Sequence, residues 1–112
     1  MTEDPLADIE IEPREVSRLL ASGHKFLFVD VRESWEYDIS RIEGSVLIPL
    51  REIPASVPRL SESTQLILFC HHGIRSLDAA AWLRIQGIQG ARSMSGGIDR
   101  WAKEIDPSVP RY

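Results

Sequence analysis

With 112 residues and a hydrophobic content of 43%, the chain is sized for one compact domain with a real core. Its formal charge of −4 leaves no broad basic face to neutralise a phosphate backbone, which argues against nucleic acid as a partner. Met1-Thr2-Glu3-Asp4-Pro5 lacks the basic and apolar regions of a secretion signal, and apolar runs such as Leu66 to Cys70 are too short to span a bilayer. The expectation is a soluble, cytoplasmic protein with no membrane partner.

Residues 1–8 read as an N-terminal extension and residues 9–112 as a single domain, since no repeat, low-complexity tract or linker interrupts them. A short strand is predicted around Ile9 to Ile11. A helix follows, opened by Pro13, carrying Val16, Leu19 and Leu20 at helical spacing, and ended at Ser22-Gly23. Phe26 to Val31 is an apolar run broken only by Asp30, the pattern of a strand buried on both faces of a parallel sheet. Ser34 to Tyr37 reads as a helical turn capped by Ser34, and Val46-Leu47-Ile48 as a brief strand halted by Pro49. A helix from about Leu50 to Leu60 is expected, interrupted by Pro54 and Pro58.

Leu66-Ile67-Leu68-Phe69 is a second fully apolar strand, and Leu77, Ala80, Ala81, Leu83 and Ile85 mark a helix from Ser76 that ends at Gly87. The chain closes with a strand over Ala91 to Met94, a Gly96-Gly97 turn, and a helix through Ile98, Trp101 and Ala102 that stops before Pro107. Alternating strands and helices predict an α/β fold in three layers: a central parallel sheet of about five short strands with helices on both faces. Ligands of such folds gather at the carboxyl ends of the strands, where Asp30, Arg32 and Cys70 all fall.

The single cysteine excludes a disulfide within the chain, so any sulfur or oxidising equivalent placed on Cys70 must leave to another molecule. Cys70-His71-His72-Gly73-Ile74-Arg75-Ser76 joins a buried strand to a helix, where backbone N–H groups can converge on an anion. A thiolate is stabilised by a helix N-terminus and by a guanidinium, here Arg75, which makes Cys70 a candidate nucleophile. Gly73 permits the positive torsion such a cradle needs, and Ser76 is expected to cap the next helix while its hydroxyl faces the bound group. A lone cysteine at a strand end is ordinarily a core residue. The glycine, the arginine and the helix start that follow shift the reading to function.

At these residues the chain resembles the rhodanese family, whose active-site loop runs from a cysteine through a glycine to an arginine and a serine or threonine. Asp30-Val31-Arg32-Glu33 with Glu36-Tyr37, Ile42-Glu43-Gly44-Ser45 with Ile48-Pro49, and Ser95-Gly96-Gly97-Ile98 with Trp101 resemble three further family segments. The four motifs, in order, cover roughly residues 9 to 111. The resemblance implies a rhodanese fold, Cys70 as sulfur carrier and residues 71–76 as its cradle. It implies a sulfurtransferase that takes a sulfane sulfur from thiosulfate or another persulfide or polysulfide donor. The sulfur would then pass to a thiol, cyanide or a partner protein, with no cofactor and no metal.

Two departures stand out. Ser40 and Arg41 replace the family's glycine-histidine pair, and His72 stands where some thiosulfate-using members have lysine. A histidine is only partly charged near neutral pH, so its attraction for a dianionic donor should be weaker and fade as pH rises.

Other readings are weighed on the residues. Cysteine-dependent phosphatases and arsenate reductases use the same elements in a loop one residue longer, whereas four residues separate Cys70 from Arg75 here. An idle or redox-sensing rhodanese-like module is the non-enzymatic alternative. His71 and His72 suggest a metal, but loop neighbours tend to point apart and no second cysteine or carboxylate pair completes a site. Asp30 and Arg32 are candidate supporting residues whose commoner role is to fix loops. Trp35, Trp82 and Trp101 read as core or rim packing.

Overall fold

Residues 4–63 and 65–112 are described by a computed structural model; the first three residues of the expected N-terminal extension and Thr64 lie outside them. The apolar runs become five strands: β1 (Glu10–Ile11), β2 (Leu27–Asp30), β3 (Val46–Leu47), β4 (Leu66–Phe69) and β5 (Ala91–Met94). They pair in parallel in the order β1-β5-β4-β2-β3, which puts the most apolar strand, β4, at the centre. Every residue of β4 is buried, as expected where helices cover both faces.

Period-two alternation sorts the strand residues between two cores. Val29, Leu66 and Leu68 face one side, where they pack with Ile53, Leu60, Ala79, Ala80 and Leu83. Phe28, Ile67 and Phe69 face the other, with Val16, Met94, Ile98 and Trp101. The covering helices are α1 (Pro13–Ala21), α2 (Ser34–Ile39), α3 (Val57–Leu60), α4 (Ile74–Ile85) and α5 (Gly97–Glu104). The three-layer α/β arrangement matches the expectation from the sequence.

Three local expectations are corrected. Ser34 opens α2 but does not cap it; the N-cap is Glu33, in a reciprocal capping box with the Glu36 carboxylate. The segment expected as one helix is two 3₁₀ turns, Leu50–Glu52 and Pro54–Ser56, followed by α3, because Pro54 and Pro58 lack the N–H that a continuous helix needs. Ser76 is not the cap of α4: the helix begins at Ile74 with Gly73 as its N-cap at φ +100°, so Ser76 lies inside the first turn. Before β1, the Arg84 guanidinium ties the short extension down by donating to the carbonyls of Pro5 and Ala7 at 3.2 and 2.7 Å. Among the described residues no helix is long and apolar enough to cross a membrane.

Candidate active site

Asp30 pairs with Phe69 across β2 and β4, so the residues that follow the two strands emerge side by side at the carboxyl edge of the sheet. Cys70 follows β4 and is 1% exposed. Its Sγ accepts from the backbone N–H of Gly73 at 3.1 Å and of Ser76 at 3.4 Å, and from the Ser76 hydroxyl at 3.4 Å. The sulfur thus sits against the first turn of α4, where orphan amides and the positive end of the helix dipole favour a negative charge. Ser76 Oγ also lies 2.7 Å from Ser93 Oγ of β5, a buried contact that fixes the hydroxyl under the sulfur.

The loop is held from outside by α5. Ile98 N donates to Cys70 O at 2.9 Å and Asp99 N to His71 O at 3.1 Å. A Cβ on Gly97 would lie 2.4 Å from Cys70 O, and this residue adopts φ +60°. Gly97 is therefore required by the approach of α5 to the cysteine loop, which makes it more than part of a turn before a helix.

Arg75 does not hydrogen-bond the sulfur. Its Nη1 and Nη2 donate to Glu36 Oε2 and Oε1 at 2.8 and 2.9 Å. These bonds hold the Glu36 carboxyl far below the usual carboxylate range, at about 2, while Glu36 pushes Arg75 upward. The candidate supporting residues Asp30 and Arg32 form a fully buried, bidentate pair, with Nε and Nη2 donating at 2.9 and 2.7 Å. Arg32 also donates to Ser40 O at 2.6 Å and to Glu36 O at 3.3 Å, so it ties α2 to the end of β2. This is loop fixation, and neither Asp30 nor Arg32 bonds the cysteine.

Expected to point apart, His71 and His72 instead place their ring centroids 3.9 Å from each other. Tyr112 explains it: its ring stacks on the far face of His71 at 3.8 Å and 5°, so His71 is sandwiched. Burial, then the neighbouring His72, lowers the pKa of His71, whose Nε2 is buried without a partner. His72 is open to solvent, with Nδ1 3.9 Å from Asp99 Oδ2. Ile74 is exposed beside the loop and Trp35 is 60% exposed, while Trp101 belongs to one core and Trp82 packs against the other, on the opposite face of the sheet. Among the described residues, no group of three or more His, Cys, Asp or Glu side chains could hold a metal ion.

Sequence reasoning gave no role to Ser93, Tyr112 or Asp99, and it quoted Glu36 only within a family segment. Glu33 and Glu36 do carry the spacing of a capping box, which could have flagged Glu36 as folded inward. Nothing local marks Tyr112.

A lone cysteine whose sulfur accepts from backbone amides where a central parallel strand turns into a helix defines the class: an α/β domain with a candidate cysteine nucleophile at the carboxyl edge of its sheet. The chain belongs to the rhodanese-like sulfurtransferase family, its residues 12–104 matching the model of the rhodanese-like domain. It is 30% identical to a sulfurtransferase of Allochromatium vinosum over 89% of this chain and 94% of that one. It is 36% identical, over 91% of its length, to the probable adenylyltransferase/sulfurtransferase MoeZ of Mycobacterium tuberculosis, of which it spans only 26%. Among solved structures, the human single-domain sulfurtransferase TSTD1 superposes with a TM-score of 0.74 at 27% identity, covering 86% of this chain and 96% of that one.

Proposed function

We propose that Cys70 accepts a sulfane sulfur as a persulfide and hands it to a second nucleophile. The observation that carries this reading is the seat of Cys70 Sγ on Gly73 N and Ser76 N at the start of α4. In the first step the thiolate attacks the outer sulfur of a donor such as thiosulfate. An S–S bond forms to Cys70, the donor's own S–S bond breaks, and sulfite leaves with the electron pair. The persulfide is again an anion, and the amides and the Ser76 hydroxyl that held the thiolate can hold it. In the second step a thiolate or cyanide attacks the terminal sulfur, forming a new persulfide or thiocyanate and returning the Cys70 thiolate.

Loop length favours sulfur over phosphate. Four residues lie between Cys70 and Arg75, and Arg75 is paired with Glu36, which suits a single sulfur atom better than a tetrahedral group needing several free donors. Intact-mass spectrometry after incubation with thiosulfate tests the reading. A gain of one sulfur mass, absent in Cys70→Ser and discharged by cyanide or a thiol, is the expected result. No adduct from thiosulfate or any other sulfane donor, with Cys70 still reactive toward alkylating agents, would move the protein to the sensor or binding-module reading. Cys70-dependent hydrolysis of an aryl phosphate faster than sulfur transfer would move it to the phosphatases.

A further inference from the structure

Tyr112 lies beyond the end of α5, yet its side chain touches three separate parts of the site. The hydroxyl donates to Glu36 Oε1 at 2.8 Å and accepts from Arg32 Nη1 at 2.9 Å. The ring lies flat on His71, the residue next to Cys70, and meets Trp35 edge-on at 6.2 Å. Arg32 is a rigid post, since its side chain is fully buried and both oxygens of Asp30 and two carbonyls hold it. Arg75 is different. It is one-third exposed, stands on the first turn of α4, and donates to the Glu36 carboxylate.

The Tyr112 hydroxyl is the bridge between the buried arginine and the carboxylate that orients the more exposed one. Without it, Glu36 would keep the Glu33 N–H on Oε2 at 2.9 Å, but Oε1 would be tied only to Arg75, and the carboxylate could turn about its remaining anchor and carry the guanidinium with it. With it, the carboxylate is pinned from behind. The guanidinium then uses two of its five N–H donors on Glu36 and keeps the others for an incoming anion.

We propose that Tyr112 is a positioning residue that holds the Glu36–Arg75 pair beside the cysteine loop and so gives Cys70 a preference for anionic over neutral reactants. The proposal deepens the sulfur-transfer reading by naming what would select an anionic donor. Its test needs no sulfur donor, so the two can fail separately.

Iodoacetate and iodoacetamide are similar in size and differ in charge, and both alkylate a thiolate. The ratio of their rates at Cys70, divided by the same ratio for free cysteine, measures the anion preference. Wild-type protein should show a ratio above that of free cysteine, and Arg75→Gln, which leaves the Glu36 carboxylate unpaired, should bring it to or below the free-cysteine value. Tyr112→Phe keeps the ring on His71 and removes only the hydroxyl; it should lower the ratio by about three- to tenfold. The change should fall mainly on iodoacetate. Tyr112→Leu removes the stack as well, and a melting curve for each variant separates loss of the bridge from unfolding.

An unchanged ratio in Tyr112→Phe overturns the proposal, as does equal slowing of both reagents, which marks a merely structural role. A wild-type ratio equal to that of free cysteine, or no alkylation by either reagent, overturns it too. In either case Arg75 steers no anion to the sulfur. A wild-type protein with the anion preference but no persulfide would sink the sulfur-transfer reading and leave this one standing.

Discussion

Replacing Glu36 by glutamine tests how much of the fold's stability rests at the site. Glu36 is nearly buried, and its two oxygens receive Arg75 twice, Tyr112 once and the Glu33 N–H once. Its pKa in the fold is about 2, against 4.5 as its ordinary value. At about 1.4 kcal/mol per pH unit, that difference amounts to about 3 kcal/mol favouring the folded state when the carboxyl is ionised. Partial exposure of Arg75 screens the pair, which brings the expected loss in Glu36→Gln to about 2–3 kcal/mol at pH 7. The amide also turns an N–H toward groups that are themselves donors. Because the folded pKa is the lower one, the unfolded chain binds the extra proton in acid. The contribution is complete above about pH 5.5 and drains away as pH falls through 4.5 toward 2. Urea denaturation at pH 7 and at pH 3 measures it. Wild type should lose somewhat more than half of this increment between the two, and the gap between wild type and variant should narrow by a similar amount. A variant within about 0.5 kcal/mol of wild type at pH 7, or a gap that does not change with pH, would refute the electrostatic account.

Gly97→Ala places a Cβ 2.4 Å from Cys70 O at φ +60°, so it should cost at least about 2 kcal/mol in denaturation and slow Cys70 alkylation by displacing the loop. Ser76→Ala removes the hydroxyl donated to Cys70 Sγ at 3.4 Å; persulfide formation should slow by about tenfold, while Ser93→Ala, which keeps that hydroxyl, should have a smaller effect. Stopped-flow rates with thiosulfate decide between them. His72→Lys adds a permanent charge at an exposed position; the KM for thiosulfate should fall by about two- to fivefold, the gain shrinking with added salt.

Much of the fold was legible because both faces of the central strands are buried. Leu66 to Phe69 offers no polar residue to a solvent face, and only a covered parallel sheet accommodates such a run. The cysteine loop was legible for a local reason: Gly73 must take φ +100° where α4 begins, and the sequence supplies glycine there. What local pattern could not give is the partner of each charge. Arg75 lies close to Cys70 in sequence and was expected to act on it, but a carboxylate from α2 claims the guanidinium. Asp30 and Arg32 pair within one strand end and were foreseeable as neighbours, whereas Tyr112 reaches them from beyond α5. Contacts at such sequence separation are set by how helices pack on the sheet, and no window of adjacent residues encodes them.

The capture of Arg75 by Glu36 divides the electrostatics of the site between two devices. In the proposed reaction a negative charge on Cys70 Sγ would be met by backbone amides of the α4 start and by Ser76, groups fixed by the fold that carry no net charge. The guanidinium would then meet the charge that arrives and departs with an anionic donor, its own charge being balanced by Glu36 beforehand. A bare arginine against the thiolate would stabilise the ground-state ion and dull the nucleophile. An arginine held by a carboxylate, itself pinned to a buried post through Tyr112, stabilises a leaving anion with little reorganisation. On this account Arg75→Gln should impair sulfur transfer from anionic donors more than from neutral ones, whereas loss of Ser76 should impair both alike.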